Sequence, residues 1–137
     1  MIRTGLATVF TAIVFSIIFS ISWCPQGTLA LDCGHNASHN AFFGRKQAYD
    51  TLLYMNPLKV EYSWLRIVET DVQYPSPTDI KGLIHYIEVL DQNTDGNGAC
   101  AYMTGGGIGE RNVSFHIKSK RNYGIDFIIR IYGIADN

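Results

Sequence analysis

The chain has 137 residues, enough for one ordinary domain with a modest core. It is 47% hydrophobic and 17% charged, a composition that excludes an intrinsically disordered acidic or basic tail. With 11 basic and 12 acidic residues, its formal net charge of -1 excludes a global positive field that would attract nucleic acid.

The first 30 residues have the pattern of a secretory signal peptide. Arg3 is the only charged residue before an uncharged, mainly apolar run at 6–23, and Ala30 provides a small residue for cleavage. We therefore predict a signal helix that is removed after Ala30. This leaves one domain at 31–137, extracellular and without stable membrane association. An uncleaved membrane anchor is the alternative, because the apolar run is slightly longer than in most signal peptides.

An extracellular location makes the cysteines and the glycosylation sequons informative. Cys33 and Cys100 remain after cleavage, and an even number of cysteines in an oxidising compartment predicts a disulfide. Closing so long a loop would stabilise the fold by roughly 4 kcal/mol in the chain-entropy model. A buried free Cys100 and an intermolecular bridge through Cys33 are the alternatives. Asn36 and Asn112 each begin an Asn-x-Ser sequon, so both are candidate glycosylation sites.

Most of the remaining chain alternates with a period of two, which is the pattern of β-strands. In chain order we predict an irregular segment at 33–45, a strand at 49–55 that stops at Asn56-Pro57, a strand at 60–71, a break at 75–77 and a strand at 80–90. The strand at 80–90 is apolar on both faces, which favours a central position in a layered structure.

The last third of the chain alternates more regularly. Apolar residues occupy every second position from Val113 to Lys118 and again from Ile125 to Tyr132, with a turn at 122–124 between them. We predict that these two strands form a hairpin whose apolar sides face one core. Helical spacing does not recur after residue 30. The sequence therefore predicts an all-β fold, a small antiparallel β-sandwich or barrel of about six to seven strands.

The polar segment after the strand at 80–90 resembles the start of a calcium loop. Asp91, Asn93 and Asp95 match positions one, three and five of an EF-hand loop, and Gly96 matches position six. Position twelve is Tyr102 instead of the bidentate Glu, and the flanking segments are strand-like. A tight turn is the favoured interpretation, and these three side chains remain a weak calcium candidate.

Two further features resemble functional motifs without completing them. The glycine-rich segment at 105–109 lacks the helix that follows a phosphate-binding loop, so we predict a flexible hairpin connection. His35 and His39 lie near Cys33, but without a helical pattern they only weakly suggest a zinc site. The sequence contains no nucleophile elbow, no His-Glu-x-x-His pair and no catalytic cysteine motif. We therefore predict that the protein is not an enzyme and uses no cofactor.

The main concentration of basic residues lies around the predicted hairpin. Arg111, Lys118, Lys120 and Arg121 would cluster near its tip, where they could meet an anionic partner, a glycan or a lipid headgroup. They are our candidate partner-binding residues, and no direct nucleic-acid contact is predicted. The simpler interpretation is a solvated turn that also protects a sheet edge.

Four stretches, taken together in their order and spacing, resemble a known family. They are residues 63–68, 90–99, 106–114 and 115–133. This set resembles the insect multiprotein bridging factor two family, and the resemblance extends over about residues 34–133. Members are often described as "probable salivary secreted peptides". The founding description is a transcription coactivator that bridges a nuclear receptor-type factor to the basal machinery. The family has no catalytic motif to carry over.

The resemblance and the signal pattern together give our functional expectation. We expect a secreted, non-enzymatic β-domain protein of saliva or another extracellular fluid, which acts by binding an unidentified protein or small ligand. The alternative is a transcription coactivator that bridges a sequence-specific factor to the basal transcription machinery.

Overall fold

A computed structural model describes residues 39–137, and these residues form seven strands. The strands are β1 (Ala41–Gly44), β2 (Thr51–Val60), β3 (Glu69–Tyr74), β4 (Gly82–Asp91), β5 (Cys100–Gly106), β6 (Val113–Lys118) and β7 (Ile125–Ala135). They make two antiparallel sheets, a four-stranded sheet in the order β1-β4-β7-β2 and a three-stranded sheet in the order β3-β6-β5. The all-β class and the strand number are confirmed. The barrel alternative is wrong, because the two sheets are separate.

The two sheets share one apolar core. Two aromatic contacts cross between them, Phe43 to Phe115 with ring centroids 6.2 Å apart and Tyr54 to Tyr74 at 5.5 Å. Alternation determines which side chains enter the core, as predicted for β6 and β7. Their buried residues are Val113, Phe115, Ile117, Ile125, Phe127, Ile129 and Ile131. Each fully buried side chain of this size contributes roughly 1.5–3 kcal/mol through removal from water.

The predicted hairpin between β6 and β7 is wrong. β6 lies between β3 and β5 in one sheet, whereas β7 lies between β4 and β2 in the other. The chain crosses from one sheet to the other at 119–124, so both apolar sides still face the same core. Alternation could not choose between the two arrangements, because it defines which side chains face the core and not which strands pair. β7 has 11 residues and pairs with strands of 10, while β6 has 6 residues and pairs along the 6 residues of β3.

Three strand boundaries differ from the prediction. β1 forms within the segment predicted to be irregular, and residues 61–68 of the predicted strand at 60–71 are a loop. β2 continues through Asn56-Pro57 to Val60. A proline is tolerated there because β2 is an edge strand, where a missing N–H leaves no interior hydrogen bond unmade.

Other predicted features are confirmed. β4 is an interior strand with β1 and β7 as neighbours, β3 ends at Tyr74 before the proline-rich break, and 107–112 connects the antiparallel strands β5 and β6. Across residues 39–137, no helix is long and apolar enough to span a bilayer. The signal helix, Cys33, His35 and Asn36 lie outside the described residues, so the predictions made for them stay predictions.

Candidate functional site

Three loops meet at one end of the two sheets. They are residues 61–68 between β2 and β3, residues 92–99 between β4 and β5, and residues 119–124 between β6 and β7. Antiparallel pairing brings them together, since β7 begins where β2 and β4 end, and β3 and β5 begin where β6 ends. The loops also touch: Lys120 Nζ donates to the Gly96 carbonyl.

The loop at 61–68 folds tightly on itself. The backbone N–H of Arg66 donates to the carbonyl of Ser63 over 3.1 Å, which closes a turn with Trp64 and Leu65 at its corner. Leu65 has a φ of 58°, in the left-handed region that residues other than glycine seldom adopt. Such a conformation costs about 1–2 kcal/mol and persists only where the surroundings hold it.

The loop at 119–124 holds this turn in place. Asn122 Oδ1 accepts the N–H of Leu65, and Arg121 Nη1 donates to the Leu65 carbonyl over 2.9 Å. The N–H of Asn122 donates to the Arg66 carbonyl over 3.0 Å. Both polar groups of the strained Leu65 backbone are therefore satisfied by one neighbouring loop, which leaves the side chains at the corner available to solvent.

Ser119 joins the two loops at their base. Its side chain is buried, its Oγ accepts the N–H of Val68 over 2.8 Å, and its own N–H donates to the Val68 carbonyl over 2.8 Å. A satisfied hydrogen bond of this kind contributes roughly 0.5–1.5 kcal/mol, and an unpaired buried N–H would cost more. The loops are thus fixed to the sheets at the base as well as at the tip.

Large apolar side chains on these two loops are exposed. Trp64 is 77% exposed and Tyr62 is 65% exposed, and Leu65, Ile67 and Tyr123 are each at least 41% exposed. We call these five side chains the aromatic loop surface. Single exposed apolar residues are ordinary, but a group on two hydrogen-bonded loops is typical of a contact site for another molecule. A rigid scaffold that presents loops in this way is a common design for binding.

A pocket of about 200 Å³ lies at the side of the aromatic loop surface. Tyr62 and Tyr123 line it together with Asn93 from the third loop, and Glu61 and Asp126 contribute carboxyl groups. It is small for a drug-sized ligand, whose pockets usually measure about 300–1,000 Å³. The geometry therefore favours a surface contact over capture of a large ligand.

Basic groups flank the aromatic loop surface. Arg66 and Arg121 are exposed. The guanidinium of Arg121 donates to the Leu65 carbonyl, which is neutral, so this hydrogen bond does not compensate the positive charge. Lys118 instead pairs with Glu69 over 2.9 Å, and their hydrogen bond and charges raise the pKa of Lys118 and lower the pKa of Glu69. The two arginines are thus better placed than Lys118 to attract an anionic group.

The four basic residues singled out from the sequence do not form one cluster. Lys118, Lys120 and Arg121 lie at the end with the aromatic loop surface. Arg111 lies before β6, at its other end, where it pairs with Asp136. Six residues of strand separate the two positions by roughly 20 Å. The predicted cluster is wrong for Arg111, because the whole length of β6 lies between it and the other three residues, whichever strand β6 pairs with. Asn112 is exposed beside it, and its glycosylation stays a prediction.

The calcium candidates make internal contacts. The buried carboxylate of Asp91 accepts the N–H of Asn93 over 2.9 Å and the N–H of His39 over 3.2 Å. Burial raises the pKa of Asp91, and these hydrogen bonds act in the opposite direction. Asp95 accepts two hydrogen bonds from Asn97, which lower the pKa of Asp95.

No set of three or more histidine, cysteine, aspartate or glutamate side chains within residues 39–137 is arranged to hold a metal ion. The contacts of Asp91 and Asp95 show how the polar loop stabilises itself, and the calcium hypothesis stays a prediction. Cys100 begins β5 at the same end of the sheets as this loop. Its predicted partner, Cys33, is outside the described residues.

The sequence did not reveal the aromatic loop surface. Tyr62 and Trp64 alternate with Ser63 in a way that predicts a strand, and a strand at the edge of a core would have buried them. One signal points the other way: Trp64 and Leu65 are adjacent large apolar residues, which a two-residue period cannot place on one face. The hydrogen bonds that form the site join residues more than 50 positions apart, and spacing along the chain does not encode them.

Comparisons with known proteins add independent information. The model of a family described as "Transcription activator MBF2" matches residues 43–133, a range that begins in β1 and ends in β7. The chain is also 35% identical over 127 residues to a Bombus ignitus protein named "Probable salivary secreted peptide". That alignment covers 93% of this chain and 91% of the bumblebee protein. No solved structure matches the chain.

Proposed function

This chain belongs to the MBF2 family, and we propose that it is secreted, as the name of its bumblebee relative says of that protein. We propose further that it acts outside the cell as a non-enzymatic binding protein. The signal pattern at residues 1–30 and the two sequons support export. The binding role rests on the aromatic loop surface. Trp64, at the tip of a loop held by hydrogen bonds on both sides, is the single observation that carries it.

The chemistry of this surface indicates what kind of partner it fits. Tryptophan, tyrosine and arginine are the residues that contribute most often to the energy of protein–protein contacts. Trp64 and Tyr62 offer large apolar area with few rotatable bonds, and Arg66 and Arg121 add positive charge at the margin. The partner is therefore an extracellular protein with an apolar recess for Trp64 and acidic groups around it.

Fixing the loop before binding has an energetic advantage. A flexible loop would lose conformational entropy when it bound, at about 0.5–1.5 kcal/mol for each side chain that becomes ordered. Here the backbone of Leu65 is already bonded to Asn122 and Arg121, and Ser119 fixes the base. More of the contact energy therefore remains as affinity.

Capture of a partner by matched variants tests the proposal. The purified protein is immobilised and incubated with saliva and haemolymph, and bound proteins are identified by mass spectrometry. Wild type is compared with Trp64→Ser and with the control Tyr49→Ser. Tyr49 is an aromatic residue that is 89% exposed and lies at the opposite end of the sheets. We expect a partner that Tyr49→Ser retains and that Trp64→Ser loses by at least about tenfold. Partners that bind all three proteins equally would contradict the proposal.

The family description gives a second candidate function. A protein described as a transcription activator would work through protein contacts in the nucleus. The aromatic loop surface would serve such contacts equally well, so the place where the chain accumulates separates the two candidates. The signal pattern favours the extracellular function.

A further inference from the structure

The four-stranded sheet has two apolar faces. One faces the core. Among the described residues no strand lies over the other, which we call the outer sheet face, and Lys46 from the β1–β2 connection contacts it at the Tyr132 ring. Its exposed apolar residues include Phe42 on β1, which is 56% exposed, and Met55 and Leu52 on β2, at 51% and 43%. Polar side chains normally cover the solvent face of an antiparallel sheet. This face departs from that pattern.

The strand register arranges the outer sheet face in rows that run across the strands. The first row joins Tyr86, Tyr132 and Leu52, and the rings of Tyr86 and Tyr132 lie 6.1 Å apart. The third row joins Leu90, Ile128 and Pro57. The third row is apolar. The first is apolar apart from the tyrosine hydroxyls and the ammonium group of Lys46, which lies 3.7 Å from the centroid of the Tyr132 ring.

The middle row contains the charged groups at the centre of the face. It consists of Phe42, Glu88, Arg130 and Met55, one from each strand in spatial order. Arg130 Nη1 lies 3.5 Å from Glu88 Oε2, and both side chains are largely covered, at 34% and 19% exposed. One positive and one negative group thus lie side by side, each flanked by an apolar residue.

We propose that the outer sheet face binds the same face of a second copy of this chain. The two copies are related by a two-fold axis that is parallel to the strands and lies between β4 and β7. This axis places β4 of one copy opposite β7 of the other, and β1 of one copy opposite β2 of the other. Glu88 then faces the partner's Arg130, and Arg130 faces the partner's Glu88. The apolar residues match under the same operation, with Phe42 opposite the partner's Met55 and Tyr86 opposite the partner's Tyr132.

The charge arrangement favours a second copy over an unrelated apolar surface. Burying the Glu88–Arg130 pair against a purely apolar partner would cost desolvation with no new charge contact. Against a second copy, each buried charge gains an opposite charge, so that four charges alternate in sign. The rows on either side supply the apolar contact.

The area of the face predicts a weak, concentration-dependent dimer. With a strand spacing of about 4.8 Å and a rise of about 3.3 Å per residue, the four strands of 4, 10, 10 and 11 residues present roughly 550 Å². Two copies would bury on the order of 1,100 Å², in the range of weak, transient interfaces below about 1,200 Å². The dimer uses neither Trp64 nor the loops around it, so it is independent of the proposed binding function.

Sedimentation velocity over a wide range of protein concentration tests the dimer. The full chain is expressed in insect cells and the purified product compared with three variants. Met55→Glu adds a charge to an exposed position of the face, and Arg130→Glu places two carboxylates side by side. The exchange Glu88→Arg with Arg130→Glu keeps both charges but reverses their positions. Ile80→Glu, at a residue 55% exposed in the β3–β4 loop, is the matched control.

We expect wild type, Ile80→Glu and the charge exchange to reach twice the mass of one chain as concentration rises. Met55→Glu should weaken dimerisation by at least about tenfold, because its carboxylate would be buried without an opposite charge against the partner's Phe42. Arg130→Glu should weaken it by a similar factor, because its carboxylate would face the partner's Glu88 and like charges across an interface are repulsive. Circular dichroism checks that each variant folds. If Arg130→Glu does not fold, Met55→Glu alone tests whether the outer sheet face forms the dimer. A wild type that stays monomeric up to its solubility limit would overturn the proposal, as would a dimer that Met55→Glu leaves unchanged.

Discussion

At the scale of single residues, the protein places polar and strained groups where other residues satisfy them. Leu65 adopts a left-handed backbone that Asn122 and Arg121 hold from the neighbouring loop. The carboxylate of Asp50 is almost fully covered and accepts a hydrogen bond from His85 Nδ1 over 2.7 Å and another from the N–H of Gln47. These two sites make different predictions, since one concerns strain and the other charge.

Replacing Leu65 by glycine should separate stability from binding. Glycine adopts a φ of 58° without the steric cost, so Leu65→Gly should raise the free energy of unfolding by up to about 1 kcal/mol. It should also weaken partner binding, because the apolar side chain is lost and the loop becomes more flexible. Urea denaturation measures the first effect. Leu65→Asn, which tolerates the same φ, is the control, and a glycine variant clearly less stable than wild type would contradict the strain argument.

The Asp50–His85 contact predicts a pH-dependent contribution to stability. Burial acts to raise the pKa of Asp50, but hydrogen bonds from Gln47 and His85 and nearby positive charge outweigh it and hold the pKa below its usual 3.8. A lowered folded-state pKa gives stability that is complete above pH 3.8 and is lost as pH falls through the folded value. Asp50→Asn should therefore lower the unfolding midpoint at pH 7 and have less effect as the pH falls below 3.8.

The control for this prediction is an exposed aspartate–histidine pair. Asp71 pairs with His116 over 2.8 Å, but its side chain is 73% exposed, and exposed ion pairs contribute little. Asp71→Asn should change the midpoint only slightly at any pH. Equal effects of the two substitutions would show that burial of Asp50 does not matter.

At the scale of elements, alternation predicted the strands but not how they pair. The buried positions of β6 and β7 follow directly from the sequence, because a period of two defines one apolar face. The same pattern fits a hairpin and two strands that face each other across a core, so it could not choose between them. Pro57 illustrates a second limit, since it ends a strand only where its missing N–H would have had a partner.

The junction of the two loops gives an element-scale prediction. Ser119→Ala removes the hydroxyl that accepts the N–H of Val68, and a buried donor without a partner costs roughly 1–3 kcal/mol. We expect that loss of stability, and faster hydrogen exchange confined to 61–68 and 119–124. Thr104→Ala, which removes an exposed hydroxyl from β5, is the control and should change the free energy of unfolding by less than about 0.5 kcal/mol. Uniform exchange in Ser119→Ala would contradict the role of this bond.

At the scale of the whole molecule, residues 39–137 present two surfaces that are suited to contacts. The aromatic loop surface lies at one end of the sheets, and the outer sheet face covers one side. Composition and charge excluded a disordered tail and a global positive field, because these are properties of the chain as a whole. They did not predict these surfaces, because each forms from strands and loops that are distant in sequence. A dimer through the outer face would present two aromatic loop surfaces and so raise avidity for a clustered partner.

The location of the full chain in insect cells distinguishes secretion from a nuclear role. Cells expressing residues 1–137 are separated into medium, cytoplasm and nuclei, and the N-terminus of the recovered protein is determined by mass spectrometry. We expect the protein to accumulate in the medium and to begin near residue 31. Full-length protein retained in the nuclei would contradict this expectation and would favour the coactivator function.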